Sequence, residues 1–335
     1  MTEKKEILKI TDEYKRAKKL GTLPYTDLII EKEYPIGWIT INRPEKYNTL
    51  TTFPGGTCDQ LSQAYHEMAE DPEIRVFILK GAGDVFCAGF DLSGGGFPER
   101  EKGWAKGLEM HPWTRLSRSF PDNPESSFDI TRWWNDLWEN PKPSIALVDS
   151  FCVGAGLWNI NLFDIVYATP EAIFAYPPIR YGCSIVPQIL PTWMMGFRRT
   201  MDMVLTGRHI NAQEAYDSGL VTKIVPKDKL VEEGRKMADS IARVPPMTNY
   251  FSKLTVHQFY DQLGVKEWAR FGIITCYMKE HSHLPGDLLW LQKQIDEKGF
   301  NEANREMRER FGMFDEERER ERVRLKTLKT TRTSG

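Results

Sequence analysis

Hydrophobic positions along this chain change their period several times, and each change marks an element. Between Tyr25 and Asn42 apolar and β-branched residues crowd together as Leu28-Ile29-Ile30 and then Trp38-Ile39-Thr40-Ile41, which predicts a pair of strands. Asn42-Arg43-Pro44-Glu45 reads as a turn. From Cys58 to Ala69 the apolar residues Leu61, Ala64, Tyr65 and Met68 recur at helical spacing, and Asp71-Pro72 ends that helix. Ile74 to Leu79 returns to a strand, closed by Gly81-Ala82-Gly83-Asp84. A buried strand over Ile145 to Val148 breaks at Gly154-Ala155-Gly156 and continues as an apolar helical run to Asp164. Short strands follow at Ile165–Ala168 and Ile173–Tyr176, then a helix over Leu190–Leu205. Asn211-Ala212-Gln213-Glu214 is a capping-box start, Gly219 a stop, and Leu220–Val225 a strand. From Lys229 the pattern is helical: 229–244, 247–263, a run to about 281, and 288–311. Strand, helix and strand in alternation predict an α/β layered body with a helical C-terminal region.

Two turns stand out within that order. Phe86-Cys87-Ala88-Gly89-Phe90-Asp91 is a glycine turn, and Gly154-Ala155-Gly156 joins a strand to a helix start, where backbone N–H groups have no partner inside the helix and favour negative charge. Between them runs Ser93 to Asn140, interrupted by Gly94-Gly95-Gly96 and four prolines and carrying five of the ten tryptophans (Trp104, Trp113, Trp133, Trp134 and Trp138). A polar-aromatic loop of that length beside a turn motif reads as a substrate cover or an oligomer contact.

Composition narrows the classes. The 335 residues are 41% hydrophobic and 12% aromatic, enough for a large core. A net charge of −2 gives no bulk case for nucleic acid, and no apolar run approaches the ~20 residues that span a bilayer. The first residues, MTEKKEILKITDEYKR, are charged and lack the apolar core of a signal peptide. The five cysteines (58, 87, 152, 183 and 276) form no CxxC pair, which suits reduced thiols in a cytoplasmic protein and offers no metal site. The chain divides into a charged helical extension (1–24), a core (25–226), a helical C-terminal or oligomerisation region (227–314) and a charged tail (315–335).

In combination the motifs resemble the crotonase superfamily, the enoyl-CoA hydratase/isomerase family, over about residues 25–315. The agreement lies in Asn42-Arg43-Pro44-Glu45-Lys46-Tyr47-Asn48-Thr49-Leu50, Phe86-Cys87-Ala88-Gly89-Phe90-Asp91-Leu92, Lys142-Pro143, Val153-Gly154-Ala155-Gly156, and Gly207 with Ala212 to Val221. The resemblance implies a spiral of ββα units with a helical C-terminal region, assembled as a homotrimer or homohexamer. It implies an acyl-CoA substrate, and no cofactor beyond the coenzyme A moiety of that substrate. Its oxyanion donors would be the backbone N–H groups of Phe90 and Ala155. Preorganised donors of this kind meet developing charge without reorganising. The coenzyme would lie against Lys46, Tyr47, Thr49, Ala88, Gly89, Phe90 and Asp91, with Asp91 structural as an N-cap. Ser93 stands where many members carry a lysine, which removes one phosphate contact.

The departures bear on the reaction. The two glutamates of a typical hydratase fall at Trp158 and Pro178, neither of which transfers a proton. With Gly154 these residues would line the substrate pocket. Replacement acids and bases are His111, Asp129, Arg115 and Arg132 from the long segment, and Tyr176 and Tyr181 near the second lost glutamate; His111 titrates nearest neutral pH. His281 and His283 read as helix-end residues. Three readings stay open: an enzyme with other acids and bases on a bulky or cyclic acyl-CoA; C–C hydrolysis or decarboxylation of a β-keto or malonyl-type acyl-CoA, driven by the oxyanion site; and acyl-CoA binding without turnover. A dinucleotide fingerprint at Gly154-x-Gly156 fails, because Asn159 holds the third glycine position.

Overall fold

The computed structural model describes residues 24–51, 55–91, 132–177, 179 and 189–267, with a few short stretches between 293 and 309. The N-terminal extension, the tail and most of the region beyond 267 lie outside the described residues.

Strands β1 (Leu28–Glu33), β2 (Ile36–Ile41), β3 (Val76–Gly81), β4 (Ser144–Val148), β6 (Ile165–Ala168) and β9 (Lys223–Ile224) form one sheet in the order β1-β2-β3-β4-β6-β9. Only β1 and β2 pair antiparallel; the other neighbours are parallel. A second sheet joins β5 (Phe151–Val153), β7 (Ile173–Ala175) and β8 (His209–Asn211) in the order β5-β7-β8.

The continuous apolar runs of β2, β3 and β4 follow from burial on both faces, since successive side chains point to opposite sides of a strand. Ile39, Ile41, Phe77, Leu79, Ala146 and Val148 belong to one core. Ile36, Trp38, Val76, Ile78, Ile145 and Leu147 belong to the other. The first core is covered by α1 (Thr57–Glu70), α2 (Arg132–Trp138) and the short α3 (Ala155–Ile160). On the second lies α7 (Leu230–Ala242), through Leu230, Ala238 and Ala242. Gly234 of α7 sits where a Cβ would come within 2.7 Å of a Leu147 methyl, so the helix seats directly on β4.

Three expectations are corrected. The 190–205 helix is two helices, α4 (Ile189–Met195) and α5 (Phe197–Thr206), divided at Gly196 with φ +78°. The strand expected over 220–225 keeps only Lys223–Ile224. Trp133, Trp134 and Trp138 are not on a cover loop: they lie on α2, buried against α1. The fully apolar stripe of α2 was masked in the sequence by the prolines before it. The capping box is confirmed at α6 (Ala212–Asp217): Asn211 Oδ1 accepts from the Glu214 N–H at 2.9 Å, and a Glu214 carboxylate oxygen accepts from the Asn211 N–H at 3.1 Å.

A partly buried polar cluster fastens α8 (Pro246–Gln262) to the sheet. Lys253 Nζ lies 2.9 Å from Asp164, which also accepts from the Ser144 N–H at 2.8 Å and Oγ at 2.9 Å. His257 sits 3.4 Å from Asp164, donates through Nδ1 to the Trp138 carbonyl at 3.0 Å and stacks on the Trp138 ring at 4.0 Å. Burial alone would raise the Asp164 carboxyl, but the Lys253 charge and the His257 and Lys253 hydrogen bonds hold it down at about 2.

Candidate active site

The first glycine turn is held as a single-residue strand between two neighbours. On one side the Leu50 N–H donates to Gly89 O at 2.8 Å and the Asp91 N–H to Leu50 O at 2.9 Å, a parallel bridge centred on Phe90. In a parallel bridge the central residue directs its own N–H to the opposite side. The Phe90 N–H therefore points away from Leu50, and it has no backbone partner among the described residues. On the other side Cys87 bridges Cys152 of β5: its N–H donates to Phe151 O at 2.9 Å and its carbonyl accepts from Val153 at 3.1 Å.

The second turn starts from the same β5. Gly154, at φ +55°, donates to Ala175 O at 3.0 Å, and its carbonyl accepts the first helical bond from Trp158 at 3.1 Å. Ala155 is the first residue of α3, so its N–H has no intrahelical acceptor. The two turns touch. A Cβ on Gly89, at φ +96°, would lie 3.1 Å from Val153 O, tighter than an ordinary contact, and 3.5 Å from Ala155 N. Glycine is needed here both for the left-handed backbone and for the approach. Gly156 is equally constrained, since a Cβ would meet the Cys87 carbonyl at 2.8 Å.

Aromatic rings wall this point. Phe90 meets Trp158 edge to face at 5.3 Å, and Trp158 stacks on Tyr176 at 6.1 Å. Trp158 is 5% exposed and Tyr176 fully buried. The Trp158 Nε1 is buried without a hydrogen-bond partner. Burial pushes the Cys87 thiol up to about 12, so it is a neutral packing group and no nucleophile.

The Arg43–Leu50 segment carries the first turn. Arg43 pairs with Asp91 at 3.0 Å and with Asp27 at 3.6 Å, and also donates to the Thr49 carbonyl. Asn48, fully buried at φ +53°, donates to the carbonyls of Ala82 at 2.9 Å and Val85 at 2.6 Å. The Ala88 N–H donates to Tyr47 O at 3.0 Å. Tyr47, Thr49, Ala88, Gly89, Phe90 and Asp91 are thus brought together, with Lys46 and Tyr47 exposed at one edge. Asp91 is an ion-pair partner of Arg43, a role that the sequence reading missed although Arg43 stands in the motif. His111, Arg115, Asp129, Pro178, Tyr181, His281 and His283 lie outside the described residues, as does the side chain of Arg132.

The model of the enoyl-CoA hydratase/isomerase family matches residues 31–119 and 99–270. The chain belongs to that family. The mitochondrial enoyl-CoA hydratase of Pongo abelii is 32% identical over 234 residues, covering 69% of this chain and 71% of its own. Among solved structures, an enoyl-CoA hydratase/isomerase from Xanthobacter autotrophicus Py2 superposes with a TM-score of 0.73 at 22% identity, covering 87% of this chain and all of its own. An enoyl-CoA hydratase from Mycobacterium smegmatis gives 0.68 at 24% identity, over 85% and 94%. These likenesses show the crotonase fold. Trp158, one of the two residues expected at a glutamate position, lies on α3 beside Phe90 and Tyr176. The other assigned position, Pro178, is not described. Among the described residues no helix is long and apolar enough to cross a membrane.

Proposed function

We propose that this chain transforms an acyl-CoA thioester by holding its carbonyl oxygen, as it becomes an enolate or tetrahedral oxyanion, between the N–H groups of Phe90 and Ala155. The observation that carries the reading is the contact of the two turns at Gly89, beside two N–H groups free of backbone partners. Two donors aimed at one oxygen act in a dry site at no reorganisation cost, and each is worth ~10²–10³ in rate. The pantetheine and adenine would run along Lys46, Tyr47, Thr49 and Ala88. The reaction needs no cofactor beyond the substrate's own coenzyme A. The working form would be a cytoplasmic homotrimer or homohexamer.

The reaction differs from two-glutamate hydration. Trp158 occupies the first glutamate position and cannot carry a proton, and Tyr176, buried against it, is the nearest described candidate acid. His111 remains the candidate base from the undescribed segment. The ring wall formed by Phe90, Trp158 and Tyr176 favours a bulky or cyclic acyl group. A second reading, C–C cleavage or decarboxylation of a β-keto or malonyl-type thioester, needs only the oxyanion donors and the loss of a stabilised enolate. The indole at the glutamate position favours it over plain hydration.

The test is mass spectrometry of the purified protein with a panel of thioesters: crotonyl, long-chain enoyl, cyclic enoyl, β-keto and malonyl-type. Turnover restricted to cyclic, β-keto or malonyl-type members is expected, and the product mass names the reaction. Addition of water to crotonyl-CoA at an enzymic rate would refute the loss of the glutamate machinery. Binding with no turnover across the panel would favour a non-catalytic acyl-CoA-binding protein.

A further inference from the structure

Buried polar atoms in native proteins are almost always paired, so each exception needs a cause. Among the described residues, seven buried side-chain atoms have no partner, and six of them fall on two segments, Trp133–Trp134 and Trp158–Asn161. Trp133 and Trp134 are on α2, packed on α1. The second segment is α3 and its C-cap. There Trp158 Nε1, Asn159 Nδ2 and both polar atoms of Asn161 are unpaired. Asn159 keeps one bond, accepting from the Tyr65 hydroxyl at 2.9 Å, which fixes that side of the helix against α1. Asn161 continues in αR conformation at φ −62°. At 100° per residue it falls about 60° around the axis from Trp158 and about 160° from Asn159, so it shares the indole's side. That side holds Phe90 and Tyr176. It lies one turn along the helix from the Ala155 N–H.

An aromatic wall built only to hold a hydrocarbon would bury phenylalanine or leucine here. Burying an indole N–H and a carboxamide unpaired costs stability, and a ligand atom that completes them recovers it. We infer that Trp158 is a specificity residue whose indole N–H, with the Asn161 carboxamide on the same side of the helix, hydrogen-bonds an oxygen on the acyl group. The substrate class is then a ring-bearing acyl-CoA with an oxo substituent rather than a hydrocarbon 2-enoyl-CoA. The inference rests on the acyl-CoA reading of the two glycine turns and adds the chemistry of the acyl end.

The experiment compares cyclohexanecarboxyl-CoA with its 2-, 3- and 4-oxo analogues, which exchange a methylene for an acceptor at nearly constant shape. Affinities are read by calorimetry on the full-length protein, with mass spectrometry checking that each thioester is intact. One oxo isomer should bind about tenfold tighter than the hydrocarbon ring, the worth of one buried neutral hydrogen bond. In Trp158→Phe, which keeps an aromatic ring and deletes the donor, the ratio of oxo-ring to hydrocarbon-ring affinity should fall to about one, whatever the change in the absolute affinities. Equal affinity for all four rings in the wild-type protein overturns the inference and leaves the acyl-CoA reading standing. So does a preference that survives in Trp158→Phe. Failure of every ring thioester and of coenzyme A itself to bind overturns both. Should Trp158→Phe not fold, ¹⁵N-tryptophan-labelled wild-type protein decides. An indole N–H resonance should move downfield with the preferred oxo ring and stay put with the hydrocarbon ring; no such movement overturns the inference.

Discussion

Replacing Gly156 by alanine tests whether the two turns act as one unit. The added Cβ would lie 2.8 Å from the Cys87 carbonyl oxygen, 2.9 Å from Cys87 Cβ and 3.1 Å from its Sγ. All three are inside an ordinary contact distance of 3.4 Å, and two belong to atoms with no freedom to rotate away. The relief must come from the backbone, by parting α3 from the first turn by about half an ångström. Overpacking of this kind costs ~1–3 kcal/mol. Ala155 is the adjacent residue, so the displacement passes to its N–H, and misplacing one oxyanion donor should lower kcat by ~10²–10³. The assay is turnover of the thioester found by the panel, with urea unfolding in parallel. Gly234→Ala is the control: its Cβ would meet Leu147 at 2.7 Å and 2.8 Å, but these atoms are methyl groups at the end of a side chain in the other core, which the turns do not join. It should lose stability and keep kcat. A folded Gly156→Ala protein with kcat within about threefold of wild type would refute the reasoning. Equal activity losses in both variants would refute it too, since the loss would then report stability alone.

Asp164→Asn should lower stability by ~1–3 kcal/mol at pH 7 in urea unfolding, because it removes the carboxylate from the partly buried Lys253 ammonium and leaves only the Lys142 carbonyl as its acceptor. In the wild type the Asp164 carboxyl is held at about 2, below its unfolded value, chiefly by the Lys253 charge and the His257 and Lys253 hydrogen bonds working against burial, so its ionised form stabilises the fold. That contribution is complete above about pH 4 and is lost as pH falls towards 2, so the gap between wild type and variant should narrow over that window; a constant gap would count against the linkage. Asn211→Ala should cost ~1 kcal/mol by removing the cap of α6, read as a shift in the urea midpoint at unchanged slope. Cys58, Cys87 and Cys152 have thiols raised by burial and should resist a disulfide reagent at pH 8 until the protein unfolds, with labelled sites mapped by peptide mass spectrometry. Rapid labelling of any of the three would show that the core opens readily.

Elements with a strong period were legible in the sequence. The α1 stripe of Leu61, Ala64, Tyr65 and Met68 is fully buried, as its spacing requires. The capping box at Asn211 could be read from four residues. Two of the shortest strands were not legible: β5 and β8 are three residues each and, unlike the equally short β7, were not read, and they exist because tertiary partners supply their hydrogen bonds. The tryptophans of α2 misled for a related reason. Aromatic residues beside prolines look like a loop until α1 offers the surface that buries them. The two glycine turns were visible as glycines, but the Arg43–Asp91 ion pair joins residues 48 positions apart, and no local pattern reports such a pair.

The bridge from Cys87 to Cys152 joins two points far apart in the chain with the segment 92–131 between them. Closing a loop costs entropy that grows only with the logarithm of its length, about 0.6 kcal/mol for each doubling. The hydrogen bonds at 2.9 Å and 3.1 Å that set the spacing of the two turns do not depend on how much chain runs between them. The closure cost of this pairing itself therefore depends only weakly on the length of chain it spans, while a one-residue slip at the bridge would turn the Phe90 N–H to the wrong side. Length and register thus enter the fold on different terms: the span of chain weighs only logarithmically in closing the bridge, while the pairing that positions the two donors admits no slip.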